Sequence, residues 1–145
     1  MEPFMENSSE RIHEKRDDHA KQWVLVIDDE AGFRSLYRFI LEPLGYLVEA
    51  AEDGRQGLEL AAGKCYDLVV LDMHMPNMNG LEVLKGIRGV RPEQKVIICS
   101  SNSDSSHVLE RQAKDLGALD CLYKPMDMKD MVAAIELAFA TPPAP

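Results

Sequence analysis

Short apolar runs and helical apolar spacing alternate along most of this chain. Five runs of about five residues, rich in aliphatic and β-branched side chains, predict buried β-strands. They cover residues 23–27, 47–50, 67–71, 95–99 and 119–123. The stretch after each run carries apolar residues three and four positions apart, which predicts an amphipathic helix. Strands that alternate with helices in this way indicate a parallel sheet with right-handed crossovers.

The order of these elements predicts the fold class. Five strand–helix units without a glycine-rich dinucleotide fingerprint favour an α/β, flavodoxin-like (βα)5 three-layer sandwich with the parallel strand order 2-1-3-4-5. This domain is predicted to cover residues 22–140. The polar residues 1–21 are expected to form a mobile N-terminal tail. The proline-rich residues 141–145 are interpreted as a tail or a linker stub.

Single residues predict where helices begin and end and which side chains they bury. Gly45 is a plausible stop for the first helix, and Asp53 is a candidate N-cap for the second. Leu44 is expected to continue the buried stripe of the first helix. The last helix is predicted to bury either Leu137 or Ala138.

Composition and charge narrow the class of protein. The 145 residues are 46% hydrophobic and 28% charged, which is ordinary for a globular domain. The formal net charge of −9 argues against direct nucleic-acid binding by this domain but suits carboxylates grouped around a divalent cation. The three cysteines form no CxxC pair, and no apolar run reaches the roughly 20 residues that span a membrane. We therefore expect a cytoplasmic protein with reduced thiols and no membrane contact.

Polar side chains stand at the carboxyl ends of four predicted strands. They are Asp28 and Asp29 after the first, Asp72 after the third, Ser100 after the fourth and Lys124 after the fifth. Because the carboxyl ends of parallel strands share one edge of a sheet, these groups are expected to converge. Converging carboxylates repel one another unless a cation lies between them, and Mg²⁺ prefers oxygen ligands of this kind. The sequence therefore predicts a Mg²⁺ site, with Mn²⁺ as an alternative ion.

The same groups favour phosphoryl transfer as the chemistry of the site. Carboxylates form covalent aspartyl-phosphates, and Asp72 is the candidate nucleophile. Lys124 offers a compact positive charge to a phosphoryl group, and Ser100 offers a hydroxyl donor. Phosphoryl transfer needs positioning and charge neutralisation above all, which this set of groups supplies.

Four motifs, each placed after a predicted strand, resemble those of the receiver (CheY-like) domain of two-component response regulators. They are residues 26–29 (Val-Ile-Asp-Asp), 71–76 (Leu-Asp-Met-His-Met-Pro) with Gly80, 98–101 (Ile-Cys-Ser-Ser), and 117–118 (Gly-Ala) leading to 124–125 (Lys-Pro). Each motif alone is weak, but four of them in this order are specific. The resemblance covers residues 22–140.

The resemblance implies a role for each matching acidic residue. Asp72 would be the phosphoacceptor. Asp29 and Asp72 would bind Mg²⁺ directly, together with the backbone carbonyl of His74. Asp28 would act largely through a metal-bound water. The His74 side chain itself is interpreted as an exposed loop group that affects access of the hydrolytic water.

The resemblance also implies the partners and the response. Ser100 and Lys124 would contact the phosphoryl group, and the Lys124–Pro125 bond would be cis. A histidine kinase or a histidine phosphotransfer protein would be the donor. A downstream protein, or an output domain outside this chain, would read the change, and a homodimer through the fourth helix, fifth strand and fifth helix is an option. No enzymatic turnover is expected beyond self-phosphorylation and autodephosphorylation.

Two residues depart from the family pattern. The usual threonine is Ser100, which keeps the hydroxyl and lacks the methyl group. The usual tyrosine or phenylalanine three positions before Lys124 is Cys121, which has no ring. Tyr123 lies two residues further along the strand and should therefore face the same side. Either Tyr123 partly replaces the missing ring, or the response uses only the loop after the fourth strand.

Two other functions are compatible with the same residues. A degenerate receiver could serve as a protein-interaction module, an option that Cys121 keeps open. A Mg²⁺-dependent phosphohydrolase could pass through an aspartyl-phosphate, but the haloacid-dehalogenase type requires a second aspartate where His74 stands. The intact set of Asp28, Asp29, Asp72 and Lys124 speaks against a degenerate receiver, and the chain lacks room for the cap domain that would enclose a phosphohydrolase substrate.

Overall fold

The computed structural model describes residues 22–101 and 107–142. The strands are β1 (Trp23–Ile27), β2 (Leu47–Ala51), β3 (Leu68–Asp72), β4 (Val96–Ser101) and β5 (Asp120–Lys124). The helices are α1 (Ala31–Leu41), α2 (Gly54–Gly63), α3 (Gly80–Val90), α4 (Val108–Asp115) and α5 (Met128–Ala140), and a 3₁₀ turn (Glu42–Leu44) follows α1. The predicted mobile tail, the loop after β4 and residues 143–145 lie outside the described residues.

The described strands form one parallel sheet in the order β2-β1-β3-β4-β5. The register aligns Ile27 with Leu71, Asp72 with Cys99, and Ser101 with Lys124. The predicted fold class and strand order are therefore confirmed. All strands point the same way, so their carboxyl ends meet at one edge of the sheet.

Two apolar layers cover the sheet. Val24 and Val26 of β1 pack in one layer with α1 and α5, whereas Leu25 and Ile27 pack in the other with α2 and α3. All five residues of β3 are buried. Full burial of one aliphatic side chain contributes about 1.5–3 kcal/mol. The two strands that carry the predicted carboxylates are therefore anchored in the best-packed part of the domain.

Strand limits differ from the predicted ones by at most two residues. Asp72 and Lys124 are the last residues of β3 and β5 rather than the first residues after them. The ladder continues past Asp72, because the Met73 amide donates to the Cys99 carbonyl at 2.9 Å. The side chains predicted to act at the strand ends are thus held by the sheet itself.

The predicted helix signals are correct except at Leu44. The Asp53 side chain accepts a hydrogen bond from the Gln56 amide, as an N-cap does, and Gly45 closes the turn after α1 with φ of 100°. Leu44 is 39% exposed, so its predicted place on the buried stripe is wrong. Pro43 lacks an amide hydrogen, and the chain leaves the α-helix for a 3₁₀ turn that rotates Leu44 outward.

In α5, the two residues left as alternatives by the sequence take different environments. Ala138 is buried against the sheet, whereas Leu137 is 62% exposed. The helix therefore presents its smaller side chain to the core at this turn.

Gly80, the first residue of α3, packs directly against the chain that follows Asp72. A Cβ at this position would lie 2.6 Å from the Met73 Cα and 2.7 Å from the Asp72 carbonyl oxygen. We expect Gly80→Ala to lower the free energy of unfolding by about 2 kcal/mol, because backbone has to move to admit the methyl group. Urea denaturation measures the change. Gly89→Ala in the same helix is the control: no atom lies within 4 Å of its added Cβ, and it should be neutral or stabilising.

Candidate functional site

Two buried carboxylates form the floor of the site. Asp28 follows β1, where its amide donates to the Ala51 carbonyl at 3.1 Å, and it is 2% exposed. Asp72 ends β3 and is 3% exposed. Each side chain accepts a hydrogen bond from the backbone: the Glu30 amide donates to Asp28 Oδ1 at 2.9 Å, and the His74 amide donates to Asp72 Oδ1 at 3.1 Å. The main chain therefore fixes both carboxylates.

Lys124 brings a positive charge to these carboxylates from the edge strand β5. Its Nζ lies 2.9 Å from Asp28 Oδ2, 3.3 Å from Asp72 Oδ2 and 2.8 Å from Glu30 Oε1. The ammonium also lies 4.2 Å from the centre of the Phe33 ring, within range of a cation–π contact. The predicted convergence of the first, third and fifth strand ends is thus confirmed.

The ammonium of Lys124 stays charged despite its partial burial. Burial disfavours the charged form, but hydrogen bonds to Glu30 and Asp28 outweigh it, so the pKa of Lys124 is raised above its usual value. The Lys124–Pro125 peptide bond is cis, as the family resemblance implied. Lys124 therefore supplies a permanent positive charge to the site.

Asp72 is the carboxyl group whose ionisation the site opposes most. Its pKa is raised to about 7, mainly by burial and in part by the charge on Asp28, although the His74 amide and Lys124 act in the opposite direction. A nucleophilic carboxylate must be ionised. A second cation near Asp72 would therefore favour the reactive form.

The acidic side chains are arranged as ligands for a divalent cation. Asp28, Asp29, Glu30 and Asp72 each offer a carboxylate oxygen, and these oxygens lie within 4.8 Å of one another. Asp28 and Asp72 are buried, whereas Asp29 and Glu30 are exposed. This donor set is all oxygen and partly open to water, which fits Mg²⁺ or Mn²⁺.

Ser100 follows Cys99, the register partner of Asp72, near the end of β4, and its hydroxyl contacts His74. Ser100 is 4% exposed, and its Oγ lies 3.2 Å from His74 Nε2. The His74 residue is exposed, as predicted from the sequence, but its ring covers the Ser100 hydroxyl. This contact could not be predicted from local sequence pattern, because the two residues are 26 positions apart.

Cys121 and Tyr123 face the same side of β5, as predicted. Cys121 packs with the apolar layer that includes α4, and burial raises the pKa of its thiol to about 11. The Tyr123 hydroxyl donates to Glu110 on α4. Its ring also meets the His107 ring edge to face, with 6.1 Å between ring centres. The His107 side chain is exposed.

Two acidic residues in these contacts were missed by sequence reasoning. Glu30 had a visible signal, since it extends the acidic pair Asp28-Asp29 at the end of β1. Glu110 had none, because its contact with Tyr123 depends on where α4 lies against β5.

Asp72→Asn should stabilise the metal-free protein at pH 8 by about 2 kcal/mol. The pKa of Asp72 is higher in the folded chain than its ordinary value of 3.8, so the folded state loses stability as the pH rises from about 4, and the loss is complete above about pH 7. This cost fades as the pH falls toward 4, and the advantage of asparagine should fade with it. Denaturation at pH 8 and pH 4.5 measures both values.

A matched control is Glu93→Gln, which removes an exposed carboxylate in the turn before β4, at the opposite edge of the sheet. It should leave stability unchanged at both pH values. A gain for Asp72→Asn that is equally large at pH 4.5 would contradict the assignment of the effect to ionisation.

Comparison with known proteins agrees with this geometry. Residues 24–136 match the response regulator receiver domain family. The chain is 36% identical over 117 residues to the transcriptional regulatory protein ZraR of Escherichia coli K12, a match that covers 81% of this chain and 26% of ZraR. It is 33% identical over 113 residues to sporulation initiation phosphotransferase F of Bacillus subtilis, which covers 78% of this chain and 90% of that protein.

Solved structures show the same fold. A response regulator receiver domain from Clostridium thermocellum superimposes with a TM-score of 0.74 at 32% identity, covering 82% of this chain and 94% of that one. A CheY-like receiver domain from Methanospirillum hungatei gives a TM-score of 0.76 at 25% identity, with the same coverage. Among the described helices, none combines the length and apolar character that crossing a bilayer requires.

The chain spans about a quarter of ZraR but most of sporulation initiation phosphotransferase F. Its family match, fold and strand-end chemistry agree, and the chain belongs to the response regulator receiver domains.

Proposed function

We propose that Asp72 accepts a phosphoryl group from a histidine kinase or a histidine phosphotransfer protein in a Mg²⁺-dependent reaction. The observation that carries this proposal is the position of Asp72 Oδ2, 3.3 Å from the Lys124 ammonium and within the cluster of four carboxylates. Family membership supports a role in phosphorelay signalling. The relative named a phosphotransferase, whose length the chain nearly covers, supports phosphoryl transfer in particular.

Each residue of the site has a separate role in an in-line phosphoryl transfer. An ionised oxygen of Asp72 attacks the phosphorus, and a P–O bond to Asp72 forms while the P–N bond to the donor imidazole breaks. The bonding electron pair leaves with that nitrogen. Lys124 neutralises the phosphoryl oxygens, and the Ser100 hydroxyl donates a hydrogen bond to one of them.

Asp28, Asp29, Asp72 and the His74 backbone carbonyl would hold the Mg²⁺, and Mn²⁺ suits the same oxygens. The ion supplies charge neutralisation between the carboxylates and the phosphoryl group. Asp28 is already hydrogen-bonded to Lys124 and to the Glu30 amide, which supports a water-mediated role for it.

The response to phosphorylation is proposed to pass through Ser100, Cys121 and Tyr123. A phosphoryl group attracts the Ser100 hydroxyl and the Lys124 ammonium. Tyr123 precedes Lys124 in β5, is the register partner of Ser100, and contacts Glu110 of α4. A near-complete switch requires about 5.5 kcal/mol of differential stabilisation. A multiply charged group held by a cation, an ammonium and a hydroxyl supports a change of this size.

The reader of the signal is proposed to be a separate protein or an output domain, with a homodimer through α4, β5 and α5 as an alternative arrangement. The longer relatives are named as regulators of transcription or response regulators, which supports an output domain in some members of the family. A cytoplasmic location is proposed for a domain that receives its phosphoryl group from a histidine kinase or a histidine phosphotransfer protein.

The two other functions have less support. A degenerate interaction module would not need Lys124 paired with two buried carboxylates. A phosphohydrolase of the haloacid-dehalogenase type would place a carboxylate where His74 contacts Ser100. We therefore propose no turnover of external phosphomonoesters.

Intact mass after incubation with acetyl phosphate and Mg²⁺ tests the proposal. The wild type should gain the mass of one phosphoryl group as acetate leaves, and Asp72→Asn should gain none. Omitting Mg²⁺, or replacing Asp29 with asparagine, should reduce the gain at least tenfold, the effect of losing about 1.4 kcal/mol of transition-state stabilisation. A wild type that never gains mass, or an Asp72→Asn variant that gains it equally, would refute the assignment.

His74→Ala should shorten the lifetime of the phosphoryl group roughly threefold to tenfold, the effect of losing about one hydrogen bond. The substitution removes the ring that covers Ser100 and opens the site to water. Mg²⁺ affinity should not change, since only the backbone of His74 is assigned to the metal. Loss of phosphorylated mass over time measures the lifetime, and an unchanged lifetime would show that the ring has no part in it.

A further inference from the structure

The contact between β5 and α4 carries an inference that goes beyond the proposed function and rests on it. We propose that the hydrogen bond from the Tyr123 hydroxyl to Glu110 is a latch that holds α4 in the resting position. In this arrangement Glu110 is a positioning residue, acting through Tyr123 on Ser100 and Lys124. The latch has to open before α4 can respond to a phosphoryl group on Asp72.

Tyr123 occupies the point at which the site meets α4. It precedes Lys124, whose ammonium contacts Asp72, and it is the register partner of Ser100 in the neighbouring strand. A shift of Ser100 or Lys124 toward a phosphoryl group therefore acts on the backbone of Tyr123 directly. The Tyr123 side chain extends from that backbone to Glu110.

Cys121 explains why the hydroxyl of Tyr123 can take this role. The thiol fills the inward position two residues earlier, packed with the apolar layer under α4, and it is too small to reach across to the helix as a ring would. Tyr123 lies on the same face nearer to the site. The only large side chain on this face of β5 is therefore the one bonded to Glu110, within the described strand.

The helix at the other end of the latch is weakly held. Ala113 is the one buried residue of α4, all eight residues of which lie in the described part of the chain. Its N-cap residue, His107, has a left-handed backbone with φ of 57° and makes no side-chain cap. A charge-assisted hydrogen bond near this end therefore helps to hold the helix in place.

Glu110 also has partners on its own helix. His107 Nδ1 lies 3.1 Å from Glu110 Oε1, and Lys114 Nζ lies 3.9 Å from Oε2. Both neighbours keep the carboxylate oriented toward β5. Lys114 lies on α4 itself and His107 contacts the same Tyr123 ring, so the link from Glu110 to β5 runs through Tyr123.

Amide hydrogen exchange in the unphosphorylated protein tests the latch without relying on phosphorylation. Tyr123→Phe and Glu110→Gln should each raise exchange across residues 108–115 about threefold to tenfold, with no change in β1 or β3. The double variant should exchange no faster than Tyr123→Phe alone, because Tyr123→Phe already removes the bond that Glu110→Gln weakens. Lys114→Gln, which removes a partner of Glu110 but not the latch, should exchange like the wild type.

Titration with beryllofluoride and Mg²⁺ tests the switching role. Tyr123→Phe and Glu110→Gln should each bind this phosphoryl mimic about threefold to tenfold more tightly than the wild type, since opening the latch no longer opposes binding. Asp115→Asn removes one negative charge from the same helix and should leave the affinity unchanged. This control separates loss of the latch from loss of charge.

The outcomes distinguish the latch from the proposed function. Unchanged exchange across α4 in both Tyr123→Phe and Glu110→Gln would overturn the latch, whatever beryllofluoride does. Faster exchange with unchanged beryllofluoride affinity would overturn its switching role. A wild type that does not respond to beryllofluoride would overturn the proposed function, while the exchange data would still decide whether the bond holds α4.

Discussion

The placement of one ammonium among buried carboxylates is the constraint on which the site depends. Asp28 and Asp72 are almost fully buried, and burial of two like charges at one edge of a sheet is costly unless a cation compensates. Lys124 compensates both from β5 and also pairs with the exposed Glu30. Burial keeps the pKa of Asp72 high, and one positive charge shared among three carboxylates does not offset that effect. The resting site is therefore short of positive charge.

Because it lacks positive charge, the resting site favours binding of a cation. A divalent cation relieves the repulsion between the carboxylates and lowers the cost of ionising Asp72. The ion pairs of Lys124 with Asp28 and Asp72 are then weaker, and the ammonium becomes available to an incoming phosphoryl group. The same residue that stabilises the resting arrangement thus serves the proposed phosphorylated one, and the exposed Glu30 is the partner that it can give up at least cost.

The sheet topology makes this arrangement possible, and much of it could be predicted from the sequence. Buried runs that stop at Asp28 and Asp72 are visible because strands covered on both faces have few polar residues. Convergence of those ends follows from parallel pairing alone. Leu44 was misplaced because periodicity does not register the change to a 3₁₀ turn at Pro43. The contact of Tyr123 with Glu110 could not be predicted, since it depends on the position of α4 rather than on any local pattern.

The unequal anchoring of α4 determines what kind of motion the domain can make. Its C-terminal end is tied to α3, because Arg88 donates to the carbonyls of Leu116 and Gly117 at 2.6 and 3.1 Å. Arg88 also donates to the Gln94 carbonyl, so the same side chain joins α3, the end of α4 and the start of β4. The opposite end of α4 meets the sheet through the Tyr123 side chain. A change at Ser100 or Lys124 would therefore move the N-terminal end of α4 about a fixed C-terminal end, which presents a different surface beside β5 without disturbing the packed strands.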